Sequence, residues 1–118
     1  MDVNGGRFYA RPLRDDDAIA VAEAVGTSVA SISQAREDWE TDTAYSWAVC
    51  EQTNVNAVAI ARYDMNTLEV VPVGDPERDL PNDPMLEPKK AKDGVAAGQE
   101  FIQRWIDGYL PSYREQTS

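Results

Sequence analysis

The chain has 118 residues, 42% of them apolar, with three Trp and five Tyr, which is enough for one hydrophobic core and too little for two. Its formal charge of −10, from 21 acidic against 11 basic groups, argues against direct binding to nucleic acid or to an anionic membrane surface. There is no histidine, which removes the commonest general base, the histidine-dependent nucleophile pairs and every histidine zinc site, and the single cysteine, Cys50, leaves no internal disulfide or thiolate cluster.

With no signal-peptide core and no apolar run near 18 residues, the sequence reads as one cytoplasmic domain over 1–118. Acidity belongs to the middle of the chain: residues 1–40 carry −4, residues 41–88 carry −7 and residues 89–118 carry +1.

Gly5-Gly6 closes a frayed start, and Arg7 to Leu13 follows as a first strand, with Pro12 suited to a strand end or sheet edge. Asp15-Asp16-Asp17 opens a helix, because carboxylates there accept orphan amide hydrogens and meet the positive end of the macrodipole. Consecutive residues do not share a helix face, so this run is not a metal site. The first helix is expected from about Asp16 to Val25, with Ala18, Ile19, Ala22 and Val25 as its buried stripe and Gly26 stopping it. In a second helix, Ser31-Ile32-Ser33-Gln34 has the capping-box pattern, a start at Ser28 being the alternative, and Trp39 is its large core anchor.

Three extended runs come next. Tyr45, Trp47 and Val49 alternate with Ser46, Ala48 and Cys50 as a half-buried strand, with Cys50 turned inward as a small hydrophobe. Thr53-Asn54 turns the chain into Val55 to Tyr63, whose alanine row, Ala57, Ala59 and Ala61, leaves room for a helix to pack. Asp64-Met65-Asn66 then leads into Leu68 to Val73. The fold class is therefore α+β, in the order β-α-α-β-β-β-α: an antiparallel meander of about four strands with helices on one face.

Residues 74–88 form an irregular loop with four prolines, acidic through Asp75, Glu77, Asp79, Asp83 and Glu87 and opposed only by Arg78. Lys89, Lys90 and Lys92 precede a final helix from about Asp93 to Asp107. Val95, Ile102, Trp105, Ile106 and Tyr109 form its apolar face, Gly108 and Pro111 end it, and 112–118 is a flexible tail.

Arg7 to Asp17, with its Arg-Pro dipeptide followed by Asp residues, resembles the first strand and helix start of the GNAT superfamily of N-acetyltransferases. Ser46–Glu51, Val58–Asp64 and Leu68–Val73 occupy the places of that family's second to fourth strands, so the resemblance covers about two thirds of the chain. It implies acetyl-CoA as cofactor, held at a Gln/Arg-x-x-Gly-x-Gly/Ala turn whose nearest counterpart is Ala91-Lys92-Asp93-Gly94-Val95-Ala96, with Lys92, Gly94 and Ala96 as cofactor contacts. It implies Glu69 as base and Tyr109 or Tyr113 as acid. The chain departs from that pattern in Ala91, which replaces the Gln or Arg, in Asp93, which brings negative charge to the phosphate position, and in the proline loop that separates strand from helix.

The reading that follows is a non-catalytic, cofactor-free module that binds another protein carrying a basic surface, through Asp75, Glu77, Asp79, Asp83 and Glu87. A compact acidic protein presents carboxylates where a nucleic-acid groove expects phosphates, as small inhibitors from phages or other mobile elements do. The alternative is a short or degenerate acetyltransferase. A third reading, a subunit of a larger assembly, requires exposed aromatics among Tyr45, Trp47 and Tyr109.

Overall fold

The computed structural model describes residues 2–52, 56–80 and 89–110. Five strands, β1 (Val3–Asn4), β2 (Phe8–Pro12), β3 (Tyr45–Glu51), β4 (Ala57–Tyr63) and β5 (Leu68–Pro72), lie in that order in one antiparallel sheet. Between β2 and β3 come a 3-10 turn (Asp15–Asp17), helix α1 (Ala18–Glu23) and helix α2 (Ile32–Glu40), and helix α3 (Ala91–Gly108) follows β5. The α+β meander is as expected from the sequence, with one strand more than expected. The added strand is the presumed frayed start, where Val3 and Asn4 pair with Ala10 and Tyr9. None of the described helices is long and apolar enough to cross a membrane.

Helices cover both faces of the sheet, which corrects the one-sided arrangement. On one face Phe8, Tyr45, Trp47, Val49 and Leu68 pack with Phe101, Ile102 and Ile106 of α3. On the other, Ala48, Cys50, Ala57 and Ile60 pack with Ala24 and Val29 from the α1 region and Ala35 of α2. All seven residues of β3 are consequently buried, where alternation alone suggested a half-buried strand. The residues of its second face, Ser46, Ala48 and Cys50, are the short side chains that a close helix requires.

The alanine row does what its size suggests, with a displacement. Ala59 and Ala61 lie opposite Val49 and Trp47 on the α3 face, while a register shift between Val49 and Cys50 sends Ala57 to the other side. α3 approaches closely through its own missing side chains: a Cβ at Gly94 would meet Val58 Cγ2 at 2.6 Å, and one at Gly98 would meet Val49 Cγ2 at 3.1 Å. Gly5 likewise lets the Phe101 ring lie against the backbone, a contact the expected helix face did not include. Trp39, Tyr45, Trp47 and Trp105 form an edge-to-face cluster at centroid separations of 4.7 to 6.3 Å, tying α2, β3 and α3 together.

Caps and turns follow the sequence closely. Ser31 Oγ accepts from the Gln34 N–H at 3.1 Å, so α2 starts there and not at Ser28. Asp64 Oδ1 accepts from the N–H groups of Asn66 (2.9 Å) and Thr67 (2.8 Å), which holds Met65 at φ 77° and keeps the Asp64 carboxyl below the usual carboxylate range. The expected Thr53-Asn54 turn and the tail fall outside the described residues.

Helix α1 is rotated from its expected orientation. Ala18, Ile19, Ala22 and Val25 face solvent, with Ile19 73% and Val25 85% exposed, and Asp17 and Ala24 are buried instead. The cause is an ion pair. Asp17 is held against β2 by Arg11, which reaches it through both terminal nitrogens at 2.6 and 2.9 Å. Both side chains are buried, and the Arg14 N–H adds a third donor at 2.7 Å. An alanine-dominated helix of six residues has too little apolar contrast to resist that turn.

Candidate functional site

The acidic loop is fastened to α3 through its own charges. Glu77 pairs with Lys92 at 3.0 Å and Asp79 with Lys90 at 3.1 Å, raising the Lys90 ammonium pKa, while Asp75 Oδ1 accepts from the Glu77 N–H. Asp79 and Lys90 also bridge through their backbones, outside the named strands. The cluster Lys89-Lys90-Ala91-Lys92 thus neutralises part of the loop. Asp83 and Glu87 lie outside the described residues.

The positions implied by the acetyltransferase resemblance do not converge. Glu69 extends to the α1–α2 side of the sheet, where Oε1 accepts from Ser28 N (2.9 Å), Thr27 Oγ1 (3.2 Å) and Ser28 Oγ (3.3 Å) and so fixes the connection between the helices. Tyr109 caps α3 on the opposite face, 41% exposed and stacked on Trp105. Tyr113 is outside the described residues. Gly94 is buried inside α3 against Val58 and Phe8, whereas Ala96 and Lys92 are exposed.

Helix N-termini bind anions through unused N–H groups. At α3 those groups have partners: Lys90 N donates to Asp93 Oδ2 (2.7 Å), Ala91 N to Arg78 O (3.1 Å) and Lys92 N to Pro76 O (2.9 Å).

One buried ion pair, Arg11–Asp17, and one partly buried pair, Arg7–Glu51, were not apparent in the sequence. Burial alone would push the Asp17 carboxyl up, but the hydrogen bonds from Arg11 and from the Arg14 N–H outweigh it and hold the group below its ordinary range. Arg11 is correspondingly raised by its bond to Asp17. Glu51, 1% exposed, accepts from Arg7 Nε at 2.6 Å. Cys50 is buried as expected, and burial raises its thiol.

Two exposed apolar side chains, Ile19 on the rotated α1 and Val25 in the turn just after it, lie close in the chain to the exposed Asp15, Asp16 and Glu23. Of the aromatics proposed for a subunit contact, Tyr45 and Trp47 are fully buried and Tyr109 alone is exposed. No family model matches the chain, and comparison with curated proteins and with solved structures returned no match.

Proposed function

We propose that the protein is a non-catalytic binding module whose partner is another protein with a basic surface, and that the contact centres on the outer face of α1. The observation that carries this reading is the exposure of Ile19, on a helix whose orientation is fixed by the buried Arg11–Asp17 pair, and of Val25 in the turn that follows it. Exposed apolar side chains rimmed by polar groups are characteristic of interaction sites. The rim here is acidic through Asp16 and Glu23, Asp15 being paired with Arg36, so a surface rich in Lys and Arg, such as a nucleic-acid-binding groove, complements it.

The contact moves from the proline loop to α1 because Glu77 and Asp79 already have lysine partners. Acetyl transfer is the weaker reading. The α3 amides that a pyrophosphate needs have partners, and Glu69 and Tyr109 lie on opposite faces of the sheet.

The reading is tested by measuring capture of the native-cell partner by the parent and by the pairs Ile19→Asp/Val25→Asp and Asp16→Asn/Glu23→Gln. Both pairs are expected to lose the partner while melting near the parent temperature, since exposed substitutions move stability by about ±0.5 kcal/mol. Retention by the first pair would contradict the reading.

A further inference from the structure

Among the described residues, seven cations have carboxylate partners: Arg7 with Glu51, Arg11 with Asp17, Arg36 with Asp15, Arg62 with Asp38, Lys90 with Asp79, Lys92 with Glu77 and Arg104 with Glu100. Arg14 and Arg78 have no carboxylate within ion-pair distance among those residues, and both line the same cavity of about 600 Å³, between the 3-10 turn, α1, the start of β4 and the β5–α3 loop. Small-molecule pockets commonly fall between about 300 and 1,000 Å³.

Arg78 is held in place before any ligand arrives. Its N–H donates to Asp75 O (3.1 Å), its carbonyl accepts from Ala91 N (3.1 Å) and its Nε donates to Val73 O (3.0 Å). The terminal nitrogens of the guanidinium have no partner among the described residues. A fixed planar fork of this kind is suited to a carboxylate or phosphate, because it loses little freedom on binding.

The charge balance of the lining narrows the ligand further. Arg11 and Asp17 satisfy each other, which leaves the guanidiniums of Arg14 and Arg78 and the carboxylates of Asp16 and Glu23. A simple dianion would face both carboxylates, and a simple cation both guanidiniums. A molecule with one charge of each sign meets all four.

We propose that this cavity binds a small zwitterion, with its oxyanion group on Arg78 and Arg14 and its ammonium toward Asp16 and Glu23. This site adjoins the protein contact proposed for α1 and shares Ile19, Asp16 and Glu23 with it; Arg78 belongs to the cavity alone, so an Arg78 variant tests the cavity without touching the protein contact.

The test is an amide NMR titration with O-phosphoethanolamine, and with inorganic phosphate and ethanolamine as probes that carry only one sign of charge. Phosphoethanolamine is expected to bind with a dissociation constant below ~5 mM, with shifts gathered at residues 14–23 and 73–78, and about tenfold more tightly than either fragment. Arg78→Gln and Arg14→Gln should each weaken it about tenfold, with Arg104→Gln as the unaffected control. Glu23→Gln should weaken phosphoethanolamine but not phosphate. Each variant's amide spectrum reports its fold, and either arginine variant suffices if the other is misfolded. Absence of shifts at ~20 mM, equal affinity for phosphate alone, or unchanged binding by a folded arginine variant would overturn the proposal.

Discussion

Replacing Gly94 by Ala sets helix propensity directly against packing. In a helix interior Ala is favoured over Gly by about 1 kcal/mol. At Gly94, however, the new methyl would sit 2.6 Å from Val58 Cγ2 and 3.3 Å from Phe8 Cε1, whereas carbon atoms in ordinary contact lie ~3.5–4.0 Å apart. Val58 is β-branched, which restricts its χ1, and it is held on β4, so it has little freedom to give way; overpacking of this kind costs about 1–3 kcal/mol. With an overlap near 1 Å the upper part of that range applies, leaving a net loss of about 1–2 kcal/mol. Gly98→Ala, at 3.1 Å from Val49 Cγ2, should come out near zero, and Gly108→Ala, with open space around it, should gain up to about 1 kcal/mol. Urea unfolding followed by tryptophan fluorescence measures all three. The order Gly94→Ala least stable, Gly98→Ala intermediate and Gly108→Ala most stable is expected. Gly94→Ala as stable as Gly108→Ala would refute the close docking of α3 and would return Gly94 to an open, ligand-facing role.

Asp17→Ala leaves the Arg11 guanidinium buried without its partner and should cost about 3–5 kcal/mol by chemical denaturation, against a near-zero effect for exposed Asp16→Ala. Because the native Asp17 carboxyl lies below its ordinary value, its contribution is complete above about pH 4 and is lost as pH falls through the native value; a folded Asp17→Asn variant should therefore show a shallower loss of stability in acid than the parent. Trp105→Ala removes a half-buried ring that meets Tyr45 and Trp47 edge-to-face and lies tilted against Tyr109, and should cost about 3 kcal/mol, the lower end for a buried aromatic; an unchanged melting temperature would mean that the aromatic cluster does not hold α3.

Local signals were readable wherever a single side chain acts on its own backbone. Ser31 starts α2, Asp64 forms the β4–β5 turn and the alanines of β4 admit a helix, each for the reason its chemistry suggests. Features set by pairs distant in the chain were not. Arg11 and Asp17 sit on different elements, and their attraction rotates α1 so that Ile19 and Val25 emerge and Ala24 is buried. That one misassignment placed the apolar part of the candidate site in the core. Glu69 looked like a catalytic base because the sequence does not show that Ser28, 41 residues earlier, supplies its hydrogen bonds. The loop's acidity was legible as charge, but its cancellation by Lys90 and Lys92 depends on how the loop folds back onto α3.

Photo-crosslinking from α1 and the turn that follows it tests the proposed contact most directly. A photoreactive amino acid is placed at Ile19, at Val25 and, as controls, at Thr41 and Glu100, and each protein is irradiated in its native cell. Ile19 and Val25 are expected to give one shared adduct with a protein rich in surface Lys and Arg, its yield falling with added salt as exposed charges are screened over a Debye length of ~8 Å and on neutralisation of Asp16 and Glu23. Adducts of equal yield from Thr41 or Glu100, or none from Ile19 or Val25, would contradict the account.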